Sequence, residues 1–138
     1  MALIMIVDDD LHIQLALRQI VESAGHSAIE AGNGEDAIEM FQEFRPDLVI
    51  TDIFMPQVDG IETIRAIRRC DPDARIIAMS GCHVDSVWDY LGSAVVLGAD
   101  LALAKPFTGA QLTNAISSLL TREPAESHGA SARCAAAP

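Results

Sequence analysis

Short apolar segments alternate along the chain with segments of helical periodicity, and this alternation limits the folds that are open to it. The apolar segments lack the strict alternation of apolar and polar residues that half-exposed strands show, so we predict strands buried on both faces. Strands separated by helices pair in parallel through right-handed crossovers, with helices on both faces of the sheet. The predicted strands are Leu3–Val7, Ser27–Ala31, Leu48–Thr51, Ile76–Met79 and Leu101–Ala104.

The segments between these strands carry apolar residues at helical spacing, and several begin with residues that cap helices. Asn33 is the predicted N-cap of the second helix. Asp59 and Glu62 have the spacing of a capping box at the start of the third helix. Thr108 and Gln111 have the same spacing at the start of the fifth helix. The apolar face of the first helix is predicted to comprise Leu11, Leu15, Ile20 and Val21.

The five predicted strand–helix pairs, with the fourth helix near residues 85–97, account for one domain. From Thr121 onward the apolar periodicity stops, and Ala, Ser, Gly and Pro dominate the sequence. Segments of that composition bury too little apolar surface to order themselves. We therefore expect a single domain over residues 1–121 and a disordered tail over residues 122–138.

The charge balance and the cysteines exclude several classes of protein. The formal net charge is −11 with only nine Lys and Arg residues, which argues against direct binding to nucleic acid. Three scattered cysteines without a C-x-x-C pair indicate neither a disulfide framework nor a zinc site, and they favour a reducing, cytoplasmic location. We recognise no signal peptide, and no apolar run reaches the ~20 residues that a membrane helix needs.

Polar and charged side chains follow four of the predicted strands at the point where each strand ends. In an open parallel sheet, ligands bind outside the carboxyl ends of the strands, so these side chains are expected to meet at one edge. Mg²⁺ prefers carboxylate oxygens, and a carboxylate beside it can attack a phosphoryl group to give an acyl phosphate. A lysine and a hydroxyl group would stabilise the transferring phosphoryl group. The residues at these strand ends are Asp8, Asp9, Asp10, Asp52, Ser80 and Lys105.

Four segments of the chain together resemble the receiver domain of bacterial response regulators over about residues 2–121. They are "IVDDD", "PDLVITDIFMPQVDG", "IIAMSG" and "GADLALAKPF", in that order. The resemblance implies an α/β, flavodoxin-like (βα)5 fold, which is a doubly wound parallel sheet with strand order 2-1-3-4-5. It also implies a Mg²⁺ site formed by Asp8, Asp9, Asp52 and the backbone carbonyl of Phe54, whereas Asp10 is expected to cap the following helix.

The resemblance further implies that Asp52 is the phosphoacceptor. Ser80 would contact the phosphoryl group, and Lys105 would pair with it. The sequence departs from the family at Ala102, where members usually carry Tyr or Phe three positions before the lysine. An aromatic ring that follows the hydroxyl residue inward is therefore absent from this chain.

These roles predict a stand-alone response regulator receiver, which is a signalling module and not an enzyme in the usual sense. The phosphoryl group would come from a histidine kinase or a histidine phosphotransfer protein, and a downstream protein target would read the surface. Neither nucleic acid nor membrane is an expected partner, and a homodimer is left open.

Two alternatives to this function remain at this stage. One is a degenerate domain that binds partners independently of phosphorylation. The other is a Mg²⁺-dependent phosphatase with an aspartyl nucleophile, disfavoured because Phe54 stands where such enzymes carry a second Asp.

Overall fold

Five parallel strands form the centre of the computed structural model, which describes residues 2–53, 60–80, 98–105 and 107–121. The strands pair in the order β2-β1-β3-β4-β5, so the predicted fold class and strand order are confirmed. The strands are β1 Leu3–Val7, β2 Ser27–Ala31, β3 Leu48–Asp52, β4 Ile76–Ser80 and β5 Leu101–Ala104. Within the described residues the helices are α1 Leu11–Ser23, α2 Gly34–Phe44, α3 Gly60–Cys70 and α4 Gly109–Leu120. Helix α4 corresponds to the fifth helix of the sequence prediction.

Some of the predictions fall outside the described residues. These are the helix near residues 85–97, the cap at Asp59, the carbonyl of Phe54 and the tail over residues 122–138. The side chain of Ser80 lies outside them as well, although its backbone forms the end of β4.

The central strands are buried on both faces, because two of the described helices cover each face of the sheet. Met5 and Val7 of β1 pack into the core that contains α2 and α3. Ile4 and Ile6 pack into the opposite core, which contains α1 and α4. Since successive strand residues point to opposite faces, both sets must be apolar. This explains why the predicted strands show continuous apolar runs and why their bounds agree with the structure to within one residue.

The parallel register sets the ends of the central strands side by side. Val7 of β1 pairs with Thr51 of β3, so the residues that follow, Asp8 and Asp52, emerge next to each other. At the other side of the site, the end of β4 pairs with Ala104 of β5. Lys105 therefore leaves the sheet at the same edge as the two aspartates.

The predicted face of α1 is wrong in part. Leu11 and Leu15 are 69% and 57% exposed, whereas the buried residues of the helix are Gln14, Leu17 and Val21. The buried face is rotated relative to the prediction and includes Gln14, whose amide has buried carbonyl partners at the ends of β1 and β2. A polar side chain can occupy a core-facing position when its hydrogen bonds are satisfied there.

Three helix N-caps are formed by the residues that were predicted to form them. Asp10 accepts a hydrogen bond from the backbone N–H of His12 at 2.8 Å, which begins α1. Asn33 accepts one from Asp36 N–H at 2.8 Å, which begins α2. At α4, the Thr108 hydroxyl accepts from the N–H of Gln111 while that glutamine side chain accepts from the Thr108 N–H, which is the predicted capping box.

Arg68 of α3 ties together segments at the amino ends of β4 and β5. Its guanidinium donates hydrogen bonds to the carbonyls of Pro72 and Ala74, which precede β4. It also donates to the carbonyl of Gly98 and pairs with the Asp100 carboxylate at 3.0 Å, just before β5. The planar fork of arginine allows one side chain to satisfy these separate acceptors.

Cys70, the last residue of α3, is buried and disulfide-bonded. The sequence did not predict this bond. Because the chain has three cysteines, it can form one intramolecular disulfide at most, which is less than the framework of bridges that holds small secreted domains together.

Gly60 begins α3 against the end of β3, and its N–H donates to the Ile53 carbonyl at 2.9 Å. A Cβ atom at this position would lie 2.0 Å from the Asp52 carbonyl oxygen and 2.5 Å from the Ile53 Cα. Both of these atoms belong to the backbone and cannot rotate away. The close approach of α3 to β3 therefore requires glycine.

We expect Gly60→Ala to lower the free energy of unfolding by about 3 kcal/mol, because the backbone of β3 must shift to admit the methyl group. Urea denaturation measures the effect. Gly32→Ala is the control, since its Cβ would have the Gln14 amide nitrogen as nearest neighbour at 3.9 Å. That variant should stay within about 1 kcal/mol of the wild-type protein. Equal stability of the two variants would contradict this account.

Candidate functional site

Three carboxylates meet at the carboxyl ends of β1 and β3. The carboxylate oxygens of Asp8, Asp9 and Asp52 can all lie within 4.8 Å of one another. Asp8 and Asp52 are only 1% and 7% exposed, whereas Asp9 is exposed to solvent. Buried carboxylates at this separation repel one another unless a cation or hydrogen-bond donors offset their charge.

Lys105 supplies one such cation. Its Nζ lies 3.1 Å from Asp8 Oδ2 and 3.5 Å from Asp52 Oδ2, so a single ammonium group contacts both buried carboxylates. The lysine side chain is 21% exposed, and its position one residue after β5 brings it to the acidic edge. Among the described residues of the site, one positive charge opposes three negative ones, so excess negative charge remains.

Asp8 is held at every polar atom. Its N–H donates to the Ala31 carbonyl at 3.1 Å, and its carbonyl accepts from Gln14 Nε2 at 2.6 Å. In the side chain, Oδ1 accepts from the Asp10 N–H at 2.9 Å and Oδ2 accepts from Lys105. The carboxylate is therefore fixed in direction before any ligand is considered.

The three consecutive aspartates have separate roles in the structure. Asp8 is buried in the hydrogen-bond network, and Asp10 caps α1 as predicted. Within the part of the chain that the structure describes, the Asp9 carboxylate has no hydrogen bond or ion pair of its own. Asp9 is thus the carboxylate of the triplet with free oxygens at the mouth of the site.

The donor set fits a hard divalent cation. Mg²⁺ is bound in proteins by one or two carboxylates together with water or phosphate oxygens. The three clustered carboxylates offer such oxygens, and the excess negative charge around Lys105 favours a cation. Sulfur and imidazole ligands, which zinc prefers, are missing from this group of residues.

The structure thus brings together Asp8, Asp9, Asp52 and Lys105, all of which the sequence predicted as site residues. Ala102 lies on β5 opposite Ala78, so no aromatic ring occupies that strand position. Reasoning from the sequence missed Gln14, which touches the backbone of Asp8. The signal available was a polar residue at a core-facing position of α1, three residues before Leu17 and seven before Val21.

Comparison with known proteins agrees with this geometry. The family model described as the response regulator receiver domain matches residues 4–117. The chain belongs to the response regulator receiver family. Its acidic edge, with Lys105 immediately after β5, is the feature that the receiver resemblance predicted at the carboxyl ends of the strands.

Similar receivers include two chemotaxis proteins. The chain is 39% identical to the chemotaxis protein CheY of Halobacterium salinarum over 86% of its own length and 96% of that relative. It is 35% identical to the CheY of Thermotoga maritima over 82% of its length and 92% of that relative. Among solved structures, a response regulator receiver domain protein from Clostridium thermocellum is 30% identical. It has a TM-score of 0.81, covering 87% of this chain and 94% of that one.

None of the described helices combines the length and the apolar character that crossing a bilayer requires.

We expect Lys105→Met to lower the free energy of unfolding by about 2 kcal/mol in Mg²⁺-free buffer, because two buried carboxylates would then face each other without a cation. The value lies below that for a fully buried pair, since the lysine is partly exposed. Urea denaturation with a chelator present measures the loss. Lys105→Arg keeps the charge and should lose less than half as much. Wild-type stability of Lys105→Met would show that the ion pairs contribute nothing.

Proposed function

We propose that this receiver accepts a phosphoryl group on Asp52 in a Mg²⁺-dependent reaction and signals through its surface to a protein target. The donor would be a histidine kinase or a histidine phosphotransfer protein. The observation that carries the proposal is the position of the Asp52 carboxylate. It lies at the carboxyl edge of the sheet, among the carboxylates of Asp8 and Asp9 and 3.5 Å from the Lys105 ammonium group.

The surroundings of the three clustered carboxylates favour Asp52 as the acceptor. Asp8 is almost fully buried, and both of its carboxylate oxygens already accept hydrogen bonds, from Asp10 N–H and from Lys105. Asp9 lies at the mouth of the site and has no contact with the ammonium group among the described residues. The Asp52 carboxylate contacts the Lys105 ammonium group and lies at the end of the central strand, β3. An acyl phosphate formed on Asp52 would therefore lie beside a fixed positive charge.

Mg²⁺, when bound, would supply the positive charge that offsets the carboxylate repulsion and neutralises the phosphoryl oxygens. Asp9 and Asp52 would bind it directly, together with the backbone carbonyl of Phe54. Asp8 would act through water, because protein donors already occupy its oxygens. The water-mediated role proposed for Asp8 is supported by the donors that both of its carboxylate oxygens already have.

In the transfer step, one Asp52 carboxylate oxygen forms a bond to phosphorus as the phosphorus–nitrogen bond of a phosphohistidine breaks. The imidazole leaves with the bonding electron pair, and the product is an acyl phosphate on Asp52. Lys105 would stabilise the phosphoryl oxygens as their charge redistributes, and the Ser80 hydroxyl would donate a hydrogen bond to them.

Phosphorylation would also alter the charge balance that Lys105 maintains. The modified Asp52 carries roughly 1.5 to 2 negative charges in the phosphoryl group. The ammonium group now divided between Asp8 and Asp52 would move toward the new oxygens, which weakens its hold on Asp8. A rearrangement that starts at this edge is the proposed source of the signal. One domain over residues 1–121 and a disordered tail over residues 122–138 remain part of the proposal. A cytoplasmic location is proposed from the receiver family alone, because the Cys70 disulfide removes the cysteine argument for a reducing compartment.

Incubation with acetyl phosphate and Mg²⁺ should add the mass of one phosphoryl group to the wild-type protein, measured by intact mass spectrometry. Asp52→Asn should gain none. Asp10→Asn is the matched control, because asparagine also caps helices and Asp10 makes no contact with Lys105. It should be phosphorylated like the wild type. Hydroxylamine should release the group, as expected for an acyl phosphate.

Phosphorylation of Asp52→Asn to the wild-type extent would refute the acceptor assignment. Complete inertness of the wild type, with partner binding that is the same in wild type and Asp52→Asn, would favour the degenerate alternative. Steady release of phosphate from a generic phosphomonoester would favour the phosphatase.

We expect Asp9→Asn to weaken Mg²⁺ binding at least ~10-fold, because it removes a direct carboxylate ligand. The free energy of unfolding without Mg²⁺ should stay within about 0.5 kcal/mol of wild type, since the side chain is exposed and has no hydrogen bond or ion pair among the described residues. Isothermal titration calorimetry and urea denaturation measure the two quantities. Asp10→Asn, which also removes one negative charge from the triplet, should keep its affinity within about threefold. Equal weakening in both variants would mean that only the net charge matters.

A further inference from the structure

We propose that Gln14 is a positioning residue for the divalent-cation site, and that it acts by holding the backbone of Asp8 at the end of β1. The inference rests on the proposed function, because it assigns Gln14 a role in preparing the same site. Gln14 lies on α1 and touches neither Asp9 nor Asp52 through any hydrogen bond. Its influence on the cation would therefore pass through Asp8.

Gln14 is a polar residue in a buried position of α1. It is 7% exposed and lies on the face of α1 that also buries Leu17 and Val21. An amide at such a position loses its hydration, and an apolar side chain would fill the space without that loss. The hydrogen bonds that compensate for it are directed at the acidic edge of the sheet. The direction of these hydrogen bonds therefore indicates a role for Gln14 at the acidic edge, in preference to a role in packing alone.

The Gln14 amide joins the ends of two strands. Its Nε2 donates to the Asp8 carbonyl at 2.6 Å and approaches the Ala31 carbonyl at 3.4 Å. Ala31 also accepts from the Asp8 N–H at 3.1 Å. The peptide groups on both sides of the Asp8 Cα are therefore fixed, one to the end of β2 and the other to α1.

Fixing the backbone of Asp8 determines where its carboxylate points. The side chain completes the arrangement by accepting from the Asp10 N–H and from Lys105. Repulsion from Asp9 and Asp52 would otherwise favour turning this carboxylate outward to water. Gln14 opposes that movement, so the cation meets carboxylates already gathered within 4.8 Å. Residues that orient metal ligands in this way commonly change metal affinity ~10- to 100-fold when they are replaced.

The uncharged amide of Gln14 is well suited to holding the Asp8 carbonyl. A neutral amide donates to a carbonyl without adding charge beside the carboxylates. Methionine has a similar length and no donor, so Gln14→Met removes the bonds and preserves the bulk. Glutamate has the same shape, yet an ionised Gln14→Glu side chain would place an acceptor against the Asp8 carbonyl.

The test combines a measurement on metal-free protein with a measurement of binding. In chelator, we expect the Asp10 amide of Gln14→Met to exchange hydrogen at least ~10-fold faster than in wild type, because its acceptor Asp8 Oδ1 is no longer held. Amides of β3 and β4 should keep their rates. By calorimetry, Mg²⁺ should bind ~10-fold more weakly to Gln14→Met and to Gln14→Glu.

Leu17→Ala is the control for a merely structural effect. Leu17 is buried on the same face of α1 and has no hydrogen bond to Asp8, so its truncation loosens the helix without touching the site. It should lower stability and leave Mg²⁺ affinity unchanged once the protein is folded. Equal weakening of Mg²⁺ binding in Leu17→Ala and Gln14→Met would reduce Gln14 to a packing residue and overturn the proposal.

Wild-type Mg²⁺ affinity with wild-type Asp10 exchange in Gln14→Met would overturn it too, and would leave the proposed function intact. Failure of the wild-type protein to bind Mg²⁺ would instead overturn the proposed function, and the inference with it. The binding measurement on the wild type therefore separates the two failures.

Discussion

Repulsion between the carboxylates of Asp8 and Asp52 is the constraint around which this molecule is organised. The parallel pairing of β1 with β3 places these residues side by side, and the helix layers keep them out of water. Two unit charges about 4 Å apart repel by roughly 4 kcal/mol at an effective dielectric near 20. Lys105 offsets part of this energy and leaves a net negative site. The proposed affinity for a divalent cation and the proposed reactivity of Asp52 toward a phosphodonor would both follow from that incomplete neutralisation.

The location of the site follows from how completely the rest of the sheet is buried. Apolar side chains alternate between the two cores along β1, so the central part of the sheet has no room for charged groups on either face. Polar chemistry is confined to the strand ends, where loops replace the ladder hydrogen bonds. At that edge the positions of the charges are set by backbone contacts such as those of Asp8. The positions of the charged groups are thus fixed by the sheet and by α1, and not by the loops alone.

Much of the fold could be predicted because its signals are local. Strand bounds agree closely since double burial demands continuous apolar runs, and the caps at Asp10, Asn33 and Thr108 need only short-range bonds. The gathering of Asp8, Asp52 and Lys105 required only the rule that parallel strands end at one edge. The exposure of Leu11 was not predictable in this way. The partners of the Gln14 amide come from two strands, and nothing in the local periodicity of α1 reveals them.

The Arg68 network gives the opposite edge of the sheet a different mechanical character. One guanidinium binds the turn before β4 and the segment before β5, so these two strands share a common anchor at their amino ends. Two strands held by the same side chain at their amino ends cannot separate there without breaking its hydrogen bonds. A rearrangement at the carboxyl edge would therefore leave the amino ends of β4 and β5 in the same position relative to each other.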